Sequence, residues 1–355
     1  MDNNKYFYKD KDLFGLDIGF STVKLMQVKV DSKHRKLVGF GFNTFDSNAI
    51  KDGVVVECEP LAKSIYELIT KNIVGEITTR RVAMSIPTSL TFTRTINLPV
   101  LEDDELEQAI NLEAEQYIPM PLEDLYLDYS IINKSTESTE ILAVAVSKKI
   151  ADSYLDLANV LDLEPVIFDS SINAASRLFE QQESTKDIPA VLMDFGSVSA
   201  DISIHDKTNI VSSTLPAGGD TFTNAIAKKL KVSDEEAHII KTKYGLGKSK
   251  KQNLIISALQ PELDKISKEV KRMIRYYEER SETKNKIGQI VSMGGGANMP
   301  GLSDYLTNLL RLPVRTYDPW QEINAGKLKA PLAGEKSLYV TAAGLSFINP
   351  KELFV

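Results

Sequence analysis

A chain of 355 residues exceeds what one core of ordinary size holds, so two domains are expected. The net charge of −7, with lysine and arginine dispersed, excludes a role built on nonspecific nucleic-acid binding, and the densest basic stretch, Lys248 to Lys251, reads as a solvated loop. Cys58 is the lone cysteine, His34, His205 and His238 are scattered, and no apolar run approaches the roughly 18 residues of a membrane span, so a soluble cytoplasmic protein without disulfide or transition-metal site is expected.

Leu13 to Gly19 is an apolar run carrying Asp17 and Gly19. Phe20, Ser21 and Thr22 follow, then an alternating run through Lys24, which reads as strand, hairpin and strand. A third strand over about 35–45 and a helix over 59–72, with Leu61, Ile65, Leu68 and Ile69 on one face, complete a first unit. The pattern then changes. Strands over 81–86 and 91–98, an acidic helix over 102–117 stopped by Pro119 and Pro121, and strands over 125–133 and 140–147 read as a small α+β insertion. Capping and the helix macrodipole account for the acidic start, Glu102 to Glu105, without acid–base chemistry. A helix over 149–161, a strand over 166–169 and a helix through Ile172, Ala175, Leu178 and Phe179 return to the first unit, and a polar link runs over 181–187.

The opening pattern then recurs. Ala190 to Phe195 is an apolar run carrying Asp194, followed by Gly196, Ser197 and Ser199 and an alternating run through Asp201. Two such hairpins facing each other offer backbone N–H groups and hydroxyls to both sides of a polyphosphate, with Asp17 and Asp194 holding a hydrated Mg2+ through water. Further on, a strand ends at Leu215 and Gly218, Gly219 and Asp220 open a helix. Residues 233–280 read as helical with a glycine break at Tyr244 to Gly247, and a strand over 290–293 runs into Gly294, Gly295 and Gly296 ahead of a helix over 302–310. The glycines sit at strand C-termini, where α/β folds place ligands.

The ordered series of two Asp-x-Gly hairpins, a Gly-Gly-Asp turn and a triple glycine resembles the actin, Hsp70 and sugar-kinase superfamily. The resemblance implies an α/β, actin-like (ribonuclease H-like) two-domain fold that binds ATP or ADP with Mg2+. It implies that Asp17, Gly19, Phe20, Ser21, Thr22 and Lys24 form the first phosphate hairpin, with Lys24 reaching a phosphate. Asp194, Gly196, Ser197 and Ser199 form the second, Asn173 and Ala174 lie in the connecting helix, and Gly218, Gly219 and Asp220 lie near ribose and phosphate. Gly294, Gly295, Gly296 and Ala297 would face the adenosine, with Glu269 and Arg272 flanking the base. Phe20 stands where the superfamily often has a small or hydroxylated residue. On this frame, domain I covers 12–81 and 148–185, the insertion 82–147, domain II 186–230 and 287–348, and a helical subdomain 231–286.

The insertion resembles that of the bacterial cell-division actin homologue, and the stretch from Ala109 through Tyr117, Pro119 and Pro121 to Tyr129 resembles the type IV pilus assembly PilM family, as does essentially the whole chain. That resemblance implies a cytoplasmic scaffold recruited to the inner face of the membrane only through partners. These are the N-terminal peptide of the membrane protein PilN, pilus motor ATPases and other inner-membrane assembly proteins. Piliation, competence (DNA uptake) and twitching motility are the settings such machines serve. It places Leu106, Ile110, Tyr117, Ile118 and Pro119 at the peptide groove, although they equally suit the insertion's own core. ATP hydrolysis would be slow, with no catalytic residue assigned. The alternatives are a filament-forming cell-division or cytoskeletal actin homologue and a small-molecule kinase. The first would be expected to end in a linker and a basic amphipathic helix, where this sequence has Ser346 to Val355; the second has Asp169 as the candidate base.

Overall fold

The computed structural model describes residues 11–31, 34–182, 188–206, 211–280 and 285–349. The polar link expected at 181–187 lies, beyond Gln182, outside the described residues. The chain first forms β1 (Phe14–Ile18), β2 (Thr22–Asp31), β3 (His34–Thr44), the short β4 (Ile50–Lys51) and β5 (Val54–Val55), α1 (Cys58–Thr70), β6 (Val74–Gly75) and β7 (Arg81–Ile86). The insertion follows as β8 (Thr91–Pro99), α2 (Asp103–Tyr117), β9 (Leu125–Lys134) and β10 (Ser138–Ser147). Then come α3 (Lys148–Val160), β11 (Glu164–Ser170) and α4 (Ser171–Gln182). The second half is β12 (Ala190–Phe195), β13 (Ala200–His205), β14 (Val211–Leu215), α5 (Gly219–Leu230), α6 (Asp234–Lys243), α7 (Gln252–Arg280), β15 (Gln289–Met293), α8 (Leu302–Leu310) and β16 (Val314–Thr316), followed by β17 (Ile323–Asn324) and α9 (Val340–Ser346).

The two large sheets share one plan. In the first, β1, β2 and β3 form an antiparallel meander and β7 and β11 extend it in parallel from β1. In the second, β12, β13 and β14 form the meander and β15 and β16 extend it in parallel from β12. The central strands read as continuous apolar runs because both of their faces are covered: every residue of β1 is buried. Helices α1 and α3 cover one face of the first sheet through Leu61, Ile65, Tyr154 and Leu157. Helices α5 to α8 cover one face of the second through Phe222, Ile266, Val270 and Leu306. Between the sheets lie α4 and α9, whose Leu178, Phe179, Val340 and Ala343 share a cluster with Met26 and Phe40 of one sheet and Leu192 and Val291 of the other.

Three expected boundaries change. Arg81–Ile86 pairs in parallel with both β1 and β11 and is wholly buried, so the insertion starts at Thr91 rather than at 82. A strand buried on both faces belongs to the centre of a sheet, whatever follows it in sequence. The stretch 287–348 does not all stay with the second sheet: β17 pairs with β3, and α9 packs on β1 and α4. The helical stretch 231–286 has no separate core, since Ile240 and Ile255 through Tyr277 join the cluster beneath the second sheet.

The insertion is a three-stranded sheet, in order β8, β10, β9, with α2 laid on one face. A Glu102–Glu105 capping box starts α2, and Pro119 follows its last turn. Leu106 and Ile110 pack with Ile96, Leu98, Ile141 and Ala143, while Ala114 and Ile118 pack with Leu125 and Ala145. A sheet this small needs such a helix to hold a core of its own.

Candidate functional site

The two hairpins close in the same way. Gly19 donates its N–H to the Thr22 carbonyl and Gly196 donates to the Ser199 carbonyl, each at 2.9 Å. The N–H groups of Phe20, Ser21, Ser197 and Val198 at the tips have no acceptor among the described residues. Backbone donors left over at two facing turns suit a polyanion, and the phenyl ring of Phe20 leaves its own N–H available. Asp17, Gly19, Phe20, Ser21, Thr22 and Lys24 line a cleft of about 520 Å³, and Asp194, Gly196, Ser197 and Ser199 line its other wall. Gly219, Asp220, Gly294, Gly295 and Gly296 complete it.

At one equivalent position the hairpins differ. Asp17 stands directly opposite Lys24 in the β1–β2 register. Lys24 Nζ donates to Asp17 Oδ2 at 3.0 Å, and Ser85 on β7 donates its hydroxyl to Oδ1 at 2.7 Å. In the β12–β13 register the residue opposite Asp194 is Asp201. Two carboxylates directly opposite on paired strands repel, and the low dielectric of the wall enlarges the effect. Burial first, then Asp201 and Asp17, push the Asp194 carboxyl up to about 7 against the opposing pull of Lys24. Burial likewise raises Asp201 to about 6, opposed by the hydrogen bond from Thr214, whose hydroxyl lies 2.6 Å from Oδ1.

The second wall therefore has a deficit of positive charge that a divalent cation would fill, and the first wall brings its own cation. Among the described residues no group of three or more His, Cys, Asp or Glu forms a self-sufficient metal site. The donors present fit Mg2+ held by one or two carboxylates and by the phosphates of its nucleotide. Gly294 fits the same picture: it has φ +78°, and a Cβ there would stand 2.1 Å from Asp194 Oδ1. Any side chain would evict that carboxylate or block the ligand.

Several expected residues lie elsewhere. Gly218 is buried behind the wall against the Ser197 carbonyl, and Ala297 is buried in the second core. Asn173 and Ala174 lie in α4, as expected for the connecting helix, but do not line the cleft. Glu269 and Arg272 also do not line it. They pair with each other along α7, where Arg272 Nη2 donates to Glu269 Oε1 at 2.5 Å, and Ser213 donates to the same oxygen. From the helical stretch that follows α5, the residues that line the cleft are those of α6, His238, Lys241 and Thr242. Lys241 is buried and spends two of its three N–H donors on the Gly219 carbonyl, at 2.7 Å, and the Thr223 hydroxyl, at 2.8 Å. Burial lowers its pKa, opposed by Asp220. Asp169 is removed as a general base, since its carboxylate receives a 2.7 Å hydrogen bond from Arg177 and lies outside the cleft.

The expected peptide groove is also redrawn. Leu106, Ile110 and Ile118 face inward as the insertion's core and are not available to a partner. Pro119 is exposed, and Tyr117 lies at the margin with the Arg94 guanidinium 4.7 Å from its ring centroid. On β8, the hydroxyls of Thr93 and Thr95 are buried without partners.

The description type IV pilus assembly protein PilM belongs to a family model that matches residues 15–349. Cell division protein FtsA of Pseudomonas aeruginosa is 24% identical over 359 residues, which cover 87% of this chain and 84% of that protein. A solved PilM-PilN type IV pilus biogenesis complex aligns with TM-score 0.82 at 23% identity over 95% of this chain and 98% of that one. MreB 5 of Spiroplasma citri, solved bound to AMPPNP, aligns with TM-score 0.55 at 13% identity over 94% of each chain. The fold is actin-like, and with a match that spans nearly all of its length this chain belongs to the type IV pilus assembly protein PilM family.

Proposed function

We propose that the cleft holds a Mg-nucleoside triphosphate or diphosphate and that the protein is a nucleotide-loaded scaffold of the pilus machine. The observation that carries this is the unequal pair of hairpins on the two walls of the cleft: one carboxylate is matched to Lys24, and the other has Asp201 beside it on the paired strand. Lys24, Ser21, Thr22, Ser197 and the hairpin N–H groups would hold phosphate, and Asp194 and Asp201 would hold the hydrated cation in place of the expected pair Asp17 and Asp194, since Asp17 already has Lys24. The cation would neutralise charge between phosphate and carboxylates. The helix α6 would close over the nucleoside through His238, Lys241 and Thr242. Holding is the function assigned to the cleft, with turnover slow.

The second element is a PilN-type partner, PilN being the protein named in the solved PilM-PilN complex, whose N-terminal peptide would be received between the insertion and the first sheet. Support comes from the unpartnered Thr93 and Thr95 hydroxyls on a strand at the edge of the inserted sheet, together with exposed Pro119. Such a partner would bring the protein to the membrane, for among the described residues no helix is long and apolar enough to cross one. Motor ATPases and other inner-membrane assembly proteins complete the expected set of partners.

Calorimetry tests both elements. Mg-ATP should bind, Asp17→Ala and Asp194→Ala should weaken that binding, and the nucleotide-loaded protein should bind the N-terminal peptide of its PilN counterpart but not a scrambled version. Unchanged Mg-ATP affinity in both variants refutes the clamp. Failure of the loaded protein to bind the native peptide refutes the scaffold.

A further inference from the structure

We propose that a second cavity, at the margin of the first sheet, is a docking site for an acidic segment of a partner protein. The cavity has a volume of about 490 Å³ and shares no lining residue with the nucleotide cleft. It opens where the outer edge of β3 passes from β17, paired at Arg35 and Lys36, to β6, paired at Gly39 and Phe40. Three lysines, Lys29, Lys36 and Lys327, line it against one carboxylate, Glu76.

The charge there is only partly compensated by the fold. Lys29 and Lys36 are direct cross-strand partners in the β2–β3 register, an arrangement that like charges make unfavourable. Lys29 has one acidic neighbour, Asp12 at 3.4 Å, with both side chains about half exposed, so that pair contributes little. Lys36 and Lys327 have no ion pair among the described residues. A locally basic hollow on a chain of net charge −7 is a feature that an anionic partner would repay.

The wall also discriminates between kinds of anion. No helix N-terminus lines the cavity, and two N–H groups of the turn that follows β17 are spent within it: Leu328 N–H to the Ala325 carbonyl, and Gly326 N–H to the Asn324 side chain. That leaves little of a phosphate cradle. What is present is apolar, from Leu37, Val38 and Leu328, beside Thr78, which the fully buried Gln27 grips twice at 2.8 Å. Flexible ammonium groups around an aliphatic floor suit a peptide that alternates carboxylates with apolar side chains.

The test uses the full chain and a short fluorescein-labelled peptide of alternating glutamate and leucine, followed by anisotropy at low salt. Binding should weaken about tenfold in the Lys36→Glu, Lys327→Glu double variant, and likewise in a control peptide with glutamine for glutamate. Mg-ATP affinity should stay unchanged, which separates this site from the cleft. Because Lys36→Glu also removes the clash with Lys29, its melting temperature should not fall, so loss of binding cannot be misfolding. Equal binding of the glutamine peptide, undiminished affinity in the double variant, or displacement of the peptide by inorganic pyrophosphate in preference to unlabelled peptide would each overturn the proposal.

Discussion

The two hairpins are the same object built twice and wired oppositely. Both turn through an Asp-x-Gly, close with the same 2.9 Å hydrogen bond and feed a three-stranded meander flanked by parallel strands. Where the first sets Lys24 against Asp17, the second sets Asp201 against Asp194. A duplicated scaffold can thus present one wall that is electrostatically complete and another with an excess of negative charge, and under the proposed function nucleotide binding would be conditional on the metal that accompanies it.

The sharpest way to break that contrast is Asp201→Lys, which gives the second hairpin the pairing of the first. Mg-nucleotide affinity should fall at least about a hundredfold, roughly 2.7 kcal/mol, while the ligand-free protein becomes more stable. Calorimetry beside thermal denaturation reads both, and undiminished Mg2+ dependence would show that Asp201 takes no part. Converting the first hairpin is the next test. Lys24→Met leaves Asp17 unpaired beside Asp194 and should cost about 3 kcal/mol in chemical denaturation, since a nearly buried ion pair loses one partner.

Proton linkage sharpens the comparison without mutation. The folded-state values of Asp194, about 7, and Asp201, about 6, lie above those of an unfolded aspartate. Their contribution to stability is therefore fully present below about pH 4 and is lost as pH rises through 6 to 7. Mg2+ needs the ionised forms, so Mg-nucleotide affinity should rise across that window, by up to about tenfold per unit for each carboxylate that must ionise, with proton release visible as a dependence of the heat on buffer ionisation. A flat profile from pH 5.5 to 8 would remove the second wall from cation binding. The smallest effect is expected from Glu269→Gln and Arg272→Ala, which should change nucleotide affinity less than about twofold, since both side chains lie outside the cleft.

Much of this was legible in the residues. The repeat, the glycine turns and the order of strands follow from period-2 patterning and Asp-x-Gly spacing, and twelve lining residues of the two hairpins and the Gly219–Asp220 turn emerge directly from that pattern. Asp201 is legible too, for it sits at the same offset from Asp194 as Lys24 does from Asp17. Lys241 was legible only as a charge in the apolar register of Ala237 and Ile240, because its partners are main-chain and hydroxyl oxygens on another helix. Glu269 and Arg272 were misplaced because helical spacing tells which residues share a face but not which helix reaches a distant cleft. Arg81–Ile86 was assigned to the insertion since a parallel strand announces neither its partners nor its sheet, and Leu106 and Ile110 were offered to a partner because a buried face and a binding face have the same composition.

The placement of α9 has a consequence for how this molecule is made. A Cβ on Gly344 would lie 1.9 Å from the Ala174 carbonyl, and one on Gly15 would lie 2.2 Å from that of Ala342, so α9 is seated backbone to backbone against both α4 and β1. The first sheet, begun at Phe14, thus waits for residues 340–346 before its inner face is sealed, and on the ribosome the second half is translated while that face is still open. Completion of the first domain is for this reason expected late in synthesis, and α9 is the bolt that joins the halves.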